Sequence, residues 1–192
     1  MATLQEWHGE LAARRTAAWA IAEGSGCQVL LVYGCDRHQE PFRYLTNFEP
    51  VLGSAWAILS APARLSCVLN FDWQLPEARR RSGCDDWHGR FDANPTVAER
   101  LAATGACRIA VAGLEWLPVT AVEAIRSRLP DLELINVGAG MARLCRHKSR
   151  LELAALHEAA RITDVALAAA RESLRPGLTK LELAAHLFPP AC

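Results

Sequence analysis

The sequence predicts an α/β fold built on a mixed sheet, and three observations lead there. Strand-like and helix-like segments alternate from residue 29 to residue 137. Two early apolar runs are separated by a short turn, which places a hairpin in the sheet. The chain is 51% apolar over 192 residues, enough to bury one substantial core.

The elements follow in order. Leu4, Trp7, Leu11, Ala18, Trp19 and Ala22 recur at helical spacings and predict an amphipathic helix, which Gly24-Ser25-Gly26 ends. Val29 to Val32 is a short branched apolar run between Gly26 and Gly34 and reads as a buried strand. A polar loop, Cys35 to Pro41, leads to Phe42 to Phe48. Ala55 to Leu59 and Leu65 to Phe71 then flank the turn Ala61-Pro62-Ala63-Arg64 and predict the hairpin. A helix is expected near Gln74 to Arg81, a weak strand at Asp86 to Phe91, and a helix from Asn94-Pro95, where proline has no helical donor to lose. Arg108 to Ala112 reads as a strand, Val119 to Arg128 as a helix, and Leu132 to Val137 as a strand.

From Ser149 the character changes. Ser149-Arg150-Leu151-Glu152 is a capping box, so a helix starts there. Leu153, Leu156, Ala160, Thr163, Leu167, Ala170 and Leu174 then draw a narrow seam roughly 35 Å long. Arg175-Pro176-Gly177 ends that helix, and Thr179-Lys180-Leu181-Glu182 caps another, which Pro189-Pro190 halts. The expected boundary divides the chain into 1–147 and 148–192.

Charge and composition narrow the function classes. The formal charge is zero, and Arg79-Arg80-Arg81, the one basic run, reads as a solvated helix end, so no nucleic-acid partner is expected. Glu6, His8, Glu10, Arg14 and Arg15 interrupt the first twenty residues, which argues against a signal peptide or membrane span; a cytoplasmic protein is expected. Seven cysteines without a CxxC pair read as reduced, buried thiols.

Two segments, Arg43 to Phe48 and Arg146 to Glu182, together resemble those of the creatinase/prolidase, or pita-bread, metallopeptidase family. Arg43-Tyr44-Leu45-Thr46-Asn47-Phe48, followed by a strand opening near Gly53, resembles its amino-domain Tyr-Leu-Thr-Gly-Phe signature, with Asn47 in place of glycine. Arg146-His147-Lys148-Ser149-Arg150-Leu151-Glu152, continuing to Arg175-Pro176-Gly177-Leu178-Thr179-Lys180-Leu181-Glu182, resembles the junction with its catalytic domain. The signature positions are thus Tyr44, Leu45, Thr46, Lys148, Ser149, Glu152, Pro176, Gly177, Thr179 and Glu182, all structural in kind.

The resemblance implies a three-layer α/β/α creatinase amino-terminal-like domain over 1–147, followed by a long helix that opens the pita-bread catalytic domain at 148–192. It implies a parent that is a metal-dependent Xaa-Pro peptidase and a homodimer, with two divalent ions (manganese, cobalt or zinc) held by five ligands. Those ligands lie beyond the helix begun at Thr179, so no catalytic residue, metal ligand or cofactor is expected in this chain, and peptide substrate requires the catalytic domain. Phe188-Pro189-Pro190-Ala191-Cys192 departs from the family pattern, from which truncation is expected. Three readings stay open: a non-catalytic amino domain, part of an active Xaa-Pro aminopeptidase or dipeptidase, and a stand-alone interaction module using the seam.

Other clusters read more simply as ordinary structure. Asp36-Arg37-His38-Gln39-Glu40 could offer Asp36 and His38 to a metal, but a loop with no third ligand reads as solvated. Asp85-Asp86-Trp87-His88 reads as edge polarity, and Cys84 with His88 as a passive cysteine with no orienting group. The six tryptophans are expected in the core. Gly138-Ala139-Gly140 lacks the remaining parts of a dinucleotide turn.

Overall fold

The computed structural model describes residues 3–61 and 64–187, and the chain divides at Lys148 into two units. The first is a six-stranded sheet in the order β4-β3-β2-β1-β5-β6. Its strands are β1 (Val29–Gly34), β2 (Ala55–Ala61), β3 (Arg64–Leu69), β4 (Trp87–Gly89), β5 (Arg108–Ala112) and β6 (Glu133–Asn136). β2 runs antiparallel to both neighbours, while β1 pairs in parallel with β5, β5 with β6, and β3 with β4. The sheet is therefore mixed, and the hairpin is what makes it so.

Helices cover both faces. Along β1, Leu30 and Val32 join one core and Val29, Leu31 and Tyr33 the other, as a strand with side chains on alternate faces must. The first core receives α1 (Leu4–Gly24), α2 (Glu40–Thr46), α3 (Leu75–Ser82) and α6 (Gly138–Arg146), through residues such as Ala18, Phe42, Ala78 and Met141. The second receives α4 (Asn94–Ala103) and α5 (Val119–Arg128), through Val97, Leu101 and Ile125. This is a three-layer α/β/α arrangement.

Local chemistry sets the element ends. Thr3 and Glu6 form a capping box that opens α1: the Thr3 hydroxyl accepts from the Glu6 amide and the Glu6 carboxylate accepts from the Thr3 amide. Pro41, Pro76 and Pro95 sit in the first turns of α2, α3 and α4, where a missing donor costs nothing. Pro62 and Ala63 of the expected hairpin turn lie outside the described residues, but Ala61 pairs with Arg64 across it.

Several expectations needed correction. The segment expected as polar loop up to Pro41 already turns helical at Glu40, because Pro41 favours a helix start and Phe42 and Leu45 reach the core. α6 is not expected from the sequence. Gly138 and Gly140 disguise it, although Gly140 is there because a Cβ would come within 3.1 Å of Ile21 on α1. Gly138-Ala139-Gly140 is thus the first turn of a packing helix. Of the tryptophans, Trp56 and Trp87 are buried, but Trp73 and Trp116 are 60% and 40% exposed. Both lie in 3-10 turns beyond strand ends (Asp72–Gln74 and Leu114–Trp116), outside the sheet's cover. Cys27 and Cys67 are buried free thiols, whereas Cys107 is exposed, since it precedes β5 at the sheet margin.

The second unit contains α7 (Arg150–Ser173) and α8 (Lys180–Leu187). Ser149 and Glu152 cap α7 reciprocally, and Thr179 and Glu182 do the same for α8. Between them Gly177 takes a φ of 87°, a conformation that favours glycine and turns the chain. No residue of α7 is buried, and Leu153, Leu156, Leu167 and Leu174 of the seam are exposed. Residues Phe188 to Cys192, including the expected Pro189-Pro190 stop, lie outside the described residues. Among the described residues no helix is long and apolar enough to cross a membrane.

Candidate functional site

Five of the six strands point the same way, so their carboxyl ends and the loops that follow share one edge of the sheet. In open α/β sheets this is the edge where loops free to vary are held by a rigid frame. At its middle, Cys35 and His38 exchange both backbone hydrogen bonds, at 3.1 and 2.8 Å, which closes a tight turn with Asp36 and Arg37 exposed at its tip. The His38 ring stacks on Trp116 at 5.9 Å, and a Cβ on Gly113 would come within 3.0 Å of it. His38 is therefore a packing group between the ends of β1 and β5. Among the described residues no three His, Cys, Asp or Glu side chains gather as a metal site would require.

Beside this turn, two amides pin three loops together. Gln74 is buried; its oxygen accepts from the Val51 amide at 2.7 Å and its nitrogen donates to the Leu52 carbonyl at 3.3 Å. Asn70 accepts from the Ser54 amide and hydroxyl at 2.7 and 2.9 Å, and donates to the Phe91 carbonyl at 2.9 Å. The result is a platform with Val51, Leu52, Trp73 and Phe91 exposed, Phe91 at 84%, and Phe71 edge-on to it at 6.0 Å. Between platform and turn lies an open depression of about 410 Å³ lined by Tyr33, Asp36, Arg37 and Asn70 among others. Burial pushes the Tyr33 phenol above its usual range, so it serves there as a neutral group.

The signature segment lies behind this edge, in α2. Arg14 of α1 stacks its guanidinium 4.9 Å from the Tyr44 ring and 5.5 Å from Trp7, while its Nε donates to Glu10 at 3.0 Å. Leu45 and Thr46 are fully buried; the Thr46 hydroxyl donates to the Phe42 carbonyl at 2.8 Å and accepts from the Phe48 amide at 3.2 Å, tying the helix to the chain that leaves it. Asn47 ends α2 at a φ of 51°, the one non-glycine residue with positive φ among those described. Asparagine tolerates this left-handed conformation better than other side chains do, which is how it stands where the signature has glycine. Asn47→Ala is expected to cost about 1 kcal/mol and Asn47→Gly nothing. Thermal denaturation of both variants checks this, and equal losses would sink it.

Arg15 is the largest feature that sequence reasoning missed. Its Nε donates to the Leu45 carbonyl at 3.1 Å and its Nη2 to the Ser82 carbonyl at 2.7 Å, so one guanidinium caps the carboxyl ends of α2 and α3 together. Burial lowers its pKa from the usual arginine value. No pattern within the sequence announces it, since its partners lie 30 and 67 residues away.

The opposite edge carries the second cluster singled out in the sequence. Asp86 accepts from Arg100 and meets His88 Nε2 at 2.7 Å, and Arg100 also donates to Ser66. Partial burial acts to raise the Asp86 pKa, but hydrogen bonds from His88, Arg100 and Ser66 outweigh it and hold the carboxyl below its usual value. A depressed folded-state pKa stabilises above the unfolded value, near 4, and that contribution is lost as pH falls through the folded value. Asp86→Asn should therefore lower the urea midpoint at pH 7 and converge with the parent protein under strong acid. Parallel pH profiles would refute this. Cys84 is no partner to His88: its thiol donates to the Leu65 carbonyl at 3.1 Å, and burial raises its pKa, opposing the thiolate a nucleophile needs.

No protein-family model and no curated protein matches the chain. Solved structures do. The N-terminal domain of cytoplasmic peptidase PepQ from Mycobacterium tuberculosis H37Rv aligns with a TM-score of 0.54 at 18% identity, covering 69% of this chain and 98% of that one. The N-terminal, creatinase/prolidase-like domain of a metallopeptidase from Corynebacterium diphtheriae aligns at 0.51 and 19%, covering 66% and 95%. The fold is that of a creatinase/prolidase amino-terminal domain. A longer alignment, with the Xaa-Pro dipeptidase from Bacillus anthracis, has a TM-score of 0.64 at 20% identity and covers 94% of this chain. The chain spans about half of that peptidase, 47% of its length. At these identities the likeness is one of fold. Within the creatinase/prolidase-type domain, the signature residues of α2 are packing and capping groups, and Ser149, Glu152, Thr179 and Glu182 are helix caps in the second unit.

Proposed function

We propose that this chain acts as the non-catalytic amino-terminal domain of an Xaa-Pro peptidase-like metallohydrolase, where it shapes access to the active site and contributes to a homodimer. The observation that carries this reading is the alignment with the Bacillus anthracis dipeptidase, which takes in nearly all of this chain and about half of that protein. The pinned loops at the carboxyl edge supply the rigid surface such a role requires. The two divalent ions that the family resemblance implies do not fit the described residues, which bring no ligand set together.

One preparation tests both halves of the proposal. The purified chain, incubated with Xaa-Pro peptides and manganese or cobalt, is expected to show no hydrolysis above blank. Metal-dependent turnover that survives protease inhibitors would overturn the non-catalytic reading and favour an active peptidase. Sedimentation of the same sample reads association, and a clean monomer at high concentration would count against a dimerising role for this part alone. The exposed seam of α7 favours a second reading, an interaction module. Seam substitutions such as Leu156→Glu and Leu167→Glu would abolish association under that reading and leave it intact if the first unit carries the contact.

A further inference from the structure

We draw no further inference here: the strongest candidate, the apolar platform of Val51, Leu52, Trp73 and Phe91 at the carboxyl edge of the sheet, is an exposed face of the surface already described, and nothing in the structure shows what covers it.

Discussion

Arg15→Ala is expected to lower the unfolding free energy by about 3 kcal/mol, because hydrogen bonds from a charged donor contribute about 1.5 to 3 kcal/mol each and two are lost together. The loss would also leave the Leu45 and Ser82 carbonyls, each in the last turn of a helix, without the cation that faces them. Arg15→Lys keeps the charge but carries no planar fork, so it should recover only part of the loss. Urea unfolding of the three proteins checks the ranking. A loss under 0.5 kcal/mol for Arg15→Ala, on the order of a neutral surface change, would show that water replaces the guanidinium at both carbonyls.

Gly89→Ala should cost a similar amount, about 3 kcal/mol, for a steric reason. A Cβ at Gly89 would lie 2.5 Å from the Asp72 Cα and 2.9 Å from its backbone nitrogen, so main chain has to move. The movement falls between β4 and the turn that carries Trp73, and hence disturbs the platform as well as stability. Gly9→Ala is the control: nothing lies within 4 Å of its added Cβ, and alanine is the better helix former in α1. Should Gly89→Ala unfold at the same urea concentration as the parent, the close approach is not limiting.

What the sequence announced depended on whether the determinant was local. β5 and α5 were legible to the residue because their apolar patterns are bounded by glycine, proline or a change of period. α2 is hard to read because its seven residues span less than two turns, too short a run for the spacing of the buried Pro41, Phe42, Leu45 and Thr46 to stand out as a helical period. α6 was hidden because two glycines look like a loop until Ile21 is seen against Gly140. At the candidate site, the turn around Asp36 and the acidic cluster at Asp86 were visible as polarity. The amides that organise the platform were not, since Gln74 and Asn70 are unremarkable polar residues until their partners, 16 to 23 residues away, are brought alongside. Trp73 and Trp116 were misread because aromatic content signals burial on average and says nothing about a turn beyond a strand end.

The sheet also has a consequence for how the protein avoids unwanted polymers. Its two outer strands, β4 and β6, have only three and four residues. β6 carries Glu133, which takes an ion pair from Arg108 at 2.8 Å. Such short margins offer little unpaired backbone for an incoming strand to copy, which disfavours cross-β growth from the native sheet. If the purified protein gathers into larger species, those species should keep native infrared amide bands and should not bind amyloid dyes.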